Sequence, residues 1–139
     1  MSDSTSPLVS IVMNCYNGER FLREAIDSVY EQGFQDWEII FWDNASTDSS
    51  AEIAQSYDER VKYFLADETA PLGEARNHAL KQASGKYIAF LDCDDLYLPE
   101  KLEKQVALME SGDYALSYGS AIMIDEHGAV IRRFRVSYT

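Results

Sequence analysis

The stretch Gly85-Lys86-Tyr87-Ile88-Ala89-Phe90-Leu91-Asp92-Cys93-Asp94-Asp95 decides how this chain is read. Tyr87 to Leu91 is apolar throughout, short and without polar alternation, the habit of a strand buried on both faces in a parallel sheet. Gly85 turns the chain before it, and acidic residues follow at once. Two carboxylates one residue apart at a strand end, Asp92 and Asp94, suit a hard divalent cation that keeps waters and takes diphosphate oxygens as remaining ligands. Such a cation would neutralise a leaving diphosphate in displacement at a sugar carbon. The competing reading is that Asp94 and Asp95 merely open the following helix, whose dipole favours negative charge there.

Outward from this stretch the strand-helix unit recurs. Leu8 to Met13 is an almost unbroken apolar run that stops at Asn14, and a polar turn with Asn17 and Gly18 follows. Phe21, Leu22, Ala25, Ile26, Val29 and Tyr30 then recur at helical spacing as far as the stop signal Gly33. Trp37 to Trp42 repeats the buried-strand signature and ends on Asp43-Asn44-Ala45-Ser46-Thr47-Asp48, turn and N-cap residues ahead of a short helix through Ile53 and Ala54. Val61 to Leu65 is a third strand. A loop from Ala66 to Gly73, containing Pro71, leads to a helix carrying Ala75, Ala79, Leu80 and Ala83. Past the acidic triplet, Pro99 suits a helix first turn, and Leu102, Val106 and Met109 keep helical spacing through to Gly112. Tyr114 to Tyr118 is predicted as a last sheet strand. Ala121 to Ile124 and Val130 to Phe134, joined by Asp125-Glu126-His127-Gly128, are predicted as a hairpin.

Strands alternating with helices define an α/β fold, a mainly parallel sheet with helices on both faces. Ligands in such sheets bind beyond the carboxyl ends of the strands, which selects the loops after Met13, Trp42 and Leu91. In the second loop the Asn44 amide has a donor and an acceptor to match a pyrimidine edge, with Asp43 as a further acceptor, although the same residues also make a plain turn capped by Ser46 or Thr47. Tyr16 is either an aromatic platform for a base or a core residue. Arg76 lies in the first turn of its helix, the unfavourable end for a cation, so it is either solvated or close to an anion.

Composition narrows the classes. With 139 residues, 46% apolar and 12% aromatic, the chain suits one domain with a real core. A formal net charge of -12 excludes nucleic acid as a main partner, since that binding rests on clustered Lys and Arg. Any phosphate bound here needs a cation. No apolar run approaches the roughly 20 residues that span a bilayer, and the polar stretch Ser2 to Ser6 lacks a signal-peptide core, so the chain is read as cytoplasmic. Two cysteines are too few for a disulfide framework or a zinc site. Cys15 and Cys93, at neighbouring strand ends, are read as a reduced pair of packing residues. His78 and His127 have no partner at ligand spacing and are read as surface residues.

Four segments in order resemble the inverting family 2 glycosyltransferases of the GT-A, Rossmann-like fold: Val9 to Asn17, Asp43 to Asp48, Gly73 to Leu80, and Gly85 to Asp95. The resemblance covers Val9 to about Phe134. It implies that Asn14, Tyr16, Asp43, Asn44, Arg76 and Asp92 hold a nucleotide-diphosphate sugar, with Tyr16 stacked on the base, Asn44 and Arg76 holding it, Asp43 in support, and Asp92 near ribose and diphosphate. Asp94 is the implied ligand to Mg or Mn. The implied acceptor is a glycan or a lipid-linked sugar, and peripheral membrane association and a homo-oligomer are compatible with the full protein. Many members carry Asp where this chain has Asn44, which leaves uridine, thymidine, cytidine and guanosine sugars open.

Inverting transfer needs a general base for the acceptor hydroxyl. In the family it lies well downstream of the metal motif, so it is expected beyond Thr139; Asp125 and Glu126 read as hairpin-turn residues. The chain is therefore read as a truncated single domain, with a donor-binding core over 7–112 and the start of an acceptor half over 113–139. Two rivals are a non-catalytic nucleotide-sugar or interaction module, fed by the missing base, and a sugar nucleotidyltransferase. The latter expects a Gly-rich basic loop after the first strand, of which Asn14-Cys15-Tyr16-Asn17-Gly18-Glu19-Arg20 is a poor version.

Overall fold

A computed structural model describes residues 6–135. The elements are β1 (Val9–Cys15), α1 (Glu19–Tyr30), β2 (Trp37–Asp43), α2 (Ser50–Gln55), β3 (Val61–Leu65), α3 (Leu72–Leu80), β4 (Tyr87–Phe90), α4 (Lys101–Glu110), β5 (Ala121–Ile124) and β6 (Val130–Phe134). The first four strands form one parallel sheet in the order β3-β2-β1-β4. Two compact units follow along the chain, the first ending at Leu102 and the second beginning at Glu103. Among the described residues no helix is long and apolar enough to cross a membrane.

In the first unit β1 and β2 are central, and their apolar runs, each interrupted by one polar residue, Ser10 or Glu38, are the reason. Ile11, Val12, Met13, Ile39, Ile40 and Phe41 are all buried, each removing a side chain from water for roughly 2 kcal/mol. Period-two alternation sends neighbours to opposite faces. On one face Val12 and Ile40 pack with Ala79 of α3, flanked by Trp42, Phe64, Leu80 and Ala83. On the other, Tyr30 of α1 meets Trp37 edge-on at 4.9 Å, above buried Leu22, Ala25, Ile26 and Val29. Helices cover both faces, as the alternating pattern predicts. β4 departs from the double-sided burial read from its sequence: it is an outer strand here, and Ile88 and Phe90 are 41% and 50% exposed.

The amino end of this sheet holds a buried carboxylate. Glu38 accepts hydrogen bonds from the Ser10 hydroxyl at 2.6 Å and from the Ser84 backbone N–H and hydroxyl at 2.9 Å each, and pairs with Lys62. Gly85 completes the corner by donating to Ser10 Oγ at 2.8 Å. A Cβ at Gly85 would lie 2.6 Å from the Ser10 nitrogen, so only glycine lets the strand entry come this close.

In the second unit β5 and β6 pair antiparallel as predicted. Asp125 holds the turn: its Oδ1 accepts from the His127 and Ala129 backbone N–H groups at 2.9 Å each. The strand predicted over Tyr114 to Tyr118 does not form. The alternation of large and small residues fits a strand, but among the described residues this segment joins no ladder, and a strand needs a neighbour for its backbone groups. Tyr114, Leu116 and Tyr118 are all more than half exposed.

Candidate functional site

β1 extends two residues beyond the predicted Met13, which carries Asn14 and Cys15 to the carboxyl edge of the sheet. There Asn14, Cys15, Tyr16, Asn44 and Leu72 line an open pocket of about 160 Å³. Tyr16 is 53% exposed, so it is a wall of the pocket and not a core residue. The Asn14 side-chain nitrogen is buried without a hydrogen-bond partner. An unspent buried donor costs roughly 1–3 kcal/mol, and a ligand acceptor would recover it. Leu72 was not singled out from sequence; nothing in its local pattern distinguishes a first-turn leucine that packs inward from one that lines a cleft.

The loop after β2 is more committed than its sequence suggests. Asp43 is fully buried, accepting from the Ser46 N–H at 2.8 Å and from the Tyr63 hydroxyl at 2.6 Å. Burial, reinforced by that bond and by the Asp43 charge, pushes the Tyr63 phenol up. Asn44 lines the pocket, but its amide closes on one peptide: Nδ2 donates to the Ala70 carbonyl at 2.8 Å and Oδ1 accepts from the Ala70 N–H at 2.9 Å. One N–H and one lone pair remain for a ligand. Ala45 sits at φ 64, a left-handed conformation that costs an L-residue about 1 kcal/mol.

Residues 46–50 stitch this loop to the one after β1. Asn17 donates its backbone N–H to Ser46 Oγ at 3.0 Å and accepts from the Thr47 N–H at 2.7 Å. Asp48 accepts from the Glu19 N–H at 3.1 Å and the Ser50 N–H at 2.9 Å, while Glu19 accepts from the Ser49 N–H at 2.9 Å. The first turns of α1 and α2 thus borrow each other's carboxylates to satisfy open amides. Burial works against Asp48 ionisation, but its hydrogen bonds from Ser50 and Glu19 outweigh it and hold the carboxyl below the usual range. Asn17 was read from sequence only as a turn residue, since its partners lie about 30 positions away.

The acidic stretch after β4 is different. α4 starts at Lys101, so Asp94 and Asp95 do not open a helix. The segment between is pinned from below: the Tyr97 N–H donates to Ser28 Oγ at 3.0 Å, its hydroxyl donates to the Phe90 carbonyl at 2.6 Å, and Gln32 Nε2 donates to the Leu98 carbonyl at 2.8 Å. Above these anchors Asp92, Asp94 and Asp95 are exposed, each offering a carboxylate oxygen within 4.8 Å of the others. Burial first, then the charges of Asp94 and Asp92, raise the Asp95 carboxyl. Like charges this close are unfavourable unless a cation lies among them, and oxygen-only donors fit Mg or Mn. Arg76, whose anion was left open by sequence, donates to Asp92 Oδ1 at 3.3 Å. It does not line the pocket with Asn14, Tyr16 and Asn44.

The two cysteines join pocket and acidic loop. Cys15 lines the pocket, Cys93 lies between Asp92 and Asp94, and the two thiols are neighbours beside Gly18. The interaction between the two thiols draws Cys15 down to about 7 and, with burial, pushes Cys93 up. A Cβ on Gly18 would lie 2.7 Å from Cys93 Sγ and 2.8 Å from Cys15 Sγ, so glycine is what lets the turn close over the pair. His78 is not a simple surface residue, because its ring stacks on Trp42 at 5.2 Å.

A parallel α/β sheet carries a pocket and a cluster of carboxylates on its carboxyl edge, the edge at which such sheets bind ligands. The chain belongs to glycosyl transferase family 2, whose family model matches residues 10–137. It is 36% identical over 124 residues to the UDP-Glc:alpha-D-GlcNAc-diphosphoundecaprenol beta-1,3-glucosyltransferase WfgD of Escherichia coli, covering 88% of this chain and 49% of WfgD. Among solved structures, S. aureus TarS in complex with UDP-GlcNAc superposes with a TM-score of 0.71 at 30% identity, over 74% of this chain and 31% of that one. The mannosyltransferase PcManGT of Pyrobaculum calidifontis, solved with GDP-Man and Mn2+, shares the fold with a TM-score of 0.67 at 21% identity, over 88% of this chain and 37% of its own. The chain spans about half the length of the curated relatives it matches.

Proposed function

We propose that this chain binds the nucleotide-diphosphate sugar donor of a glycosyl transfer, and that the full protein passes the sugar with inversion to a hydroxyl of a glycan or lipid-linked acceptor. The observation that carries the reading is the exposed group Asp92, Asp94 and Asp95, whose one ion pair among the described residues is Arg76 on Asp92, at the edge that also carries the pocket. In this reading residues 7–112 are the donor-binding core and 113–139 begin the acceptor half.

The residues divide the donor between them. Tyr16 stacks on the base, and the buried Asn14 amide donates to base or ribose. Asn44 reads the base edge with the N–H and lone pair that Ala70 leaves free, while Asp43 fixes the loop from beneath. WfgD and TarS, named with UDP-Glc and UDP-GlcNAc, favour uridine among the bases. Arg76 orients Asp92 toward ribose and diphosphate, and Asp94 holds a divalent cation, Mg or Mn. When bound, that cation supplies charge neutralisation on the departing diphosphate. No general base is assigned among these residues, because the Asp125 carboxylate is spent on its own turn.

Calorimetry with UDP, GDP and TDP sugars, with and without manganese, tests this. The expected result is cation-dependent binding with preference for uridine. A folded chain that binds none of them would sink the donor-site reading.

A further inference from the structure

We propose that Cys15 and Cys93 form a reversible intramolecular disulfide, with peroxide as oxidant, and that this bond weakens cation binding at the acidic loop. The second half rests on the donor-site reading above; the first does not. The observations are geometric. A single point beside Gly18 lies 2.8 Å from Cys15 Sγ and 2.7 Å from Cys93 Sγ, so the two sulfurs are neighbours across the turn. Gly18 has no side chain to keep them apart. Cys15 is fixed in β1 by its ladder to β2, and its carbonyl accepts from the Asn44 N–H at 2.8 Å. Cys93 lies beyond the end of β4, in a turn outside the ladder. One partner is thus rigid and the other adjustable, which suits closure to the roughly 2.05 Å of an S–S bond.

The chemistry balances. Cys15 lines the open pocket and is the thiol drawn down to about 7, so peroxide meets its thiolate first: the O–O bond breaks, the sulfur becomes a sulfenic acid, and water leaves. The Cys93 sulfur then attacks that sulfur, the S–S bond forms, and the sulfenic oxygen departs with the remaining thiol proton as a second water. Two electrons pass from the thiol pair to one peroxide. A transient bond of this kind is the type expected in a reducing compartment, where structural disulfides are rare. Its consequence follows from position, because Cys93 separates Asp92 from Asp94 and cannot be drawn toward β1 without moving both carboxylates.

The test treats the chain with hydrogen peroxide and reads intact mass, iodoacetamide labelling and manganese affinity. The expected product has lost two hydrogens, resists alkylation, stays monomeric by non-reducing electrophoresis, and regains both thiols with dithiothreitol. Its manganese affinity falls roughly 10-fold, the size of effect seen when supporting groups around a metal are disturbed, and recovers on reduction. Because Cys15 is buried, Cys93→Ser carries the mutational arm: it should abolish both the mass change and the oxidant sensitivity of binding. Thiols that stay alkylatable, sulfinic acids, or links between chains would overturn the disulfide. An oxidised form that binds manganese as well as the reduced form would overturn the coupling. If neither form binds manganese, the donor-site reading fails while the mass measurement still decides the bond.

Discussion

A lone carboxylate and an acidic cluster sit at opposite ends of one sheet, and the chain treats them in opposite ways. At the amino end Glu38 is 2% exposed and has Ser10, Ser84 and Lys62 around it. Burial alone would raise its pKa, but these partners prevail and hold it below the usual carboxylate range. At the carboxyl end Asp92, Asp94 and Asp95 are exposed and crowd each other, and Asp95 is raised. The lesson is in satisfaction: a saturated carboxylate holds the fold, and an unsaturated cluster has capacity left for a ligand. Asp43 and Asp48 lie between these extremes, near the site in space but spent on Tyr63, Ser46, Glu19 and Ser50.

Substitutions that exchange the two behaviours would break the comparison. Glu38→Ala should cost about 3 kcal/mol in urea denaturation, because it orphans buried partners. Its pH dependence has a definite sign: the folded pKa is depressed, so its stabilisation is present above the ordinary glutamate pKa and is lost as pH falls through the lower folded value. A wild-type acid titration that shows no loss removed by Glu38→Gln would contradict this. Asp94→Asn should do the reverse, leaving stability unchanged within about 0.5 kcal/mol while weakening manganese-dependent nucleotide binding by about 100-fold, or roughly 2.7 kcal/mol. A large melting shift in that variant would make Asp94 a structural residue. Asn44→Ala removes both bonds to Ala70 and should cost about 1.5 kcal/mol in thermal unfolding as well as donor affinity. The smallest effect sharpens the loop itself: Ala45→Gly should stabilise the fold by up to about 1 kcal/mol by relieving the positive φ, with no loss of binding.

Much of this was legible in the sequence because it is local. Mainly apolar runs such as Val9 to Met13 and Trp37 to Trp42 specify central parallel strands, and the positions of Tyr16, Asn44, Asp92 and Asp94 follow from where the runs stop. What escaped depends on partners distant along the chain. The spending of the Asn44 amide on Ala70, the exchange of caps between Glu19 and Asp48, and the anion beside Arg76 are set by loops that meet only in the fold. Tyr114 to Tyr118 failed for the same reason in reverse: its alternation is a strand signal, but a ladder needs a second backbone that local pattern does not supply.

The most direct test is a manganese titration followed by electron paramagnetic resonance in the presence of UDP, run on the wild type, Asp94→Asn and Glu38→Gln. The free-ion signal should be suppressed by the wild type and by Glu38→Gln at temperatures where it is folded, and should persist with Asp94→Asn. Equal suppression by all three, or by none in folded protein, would contradict the assignment of the cation to the carboxyl end of the sheet.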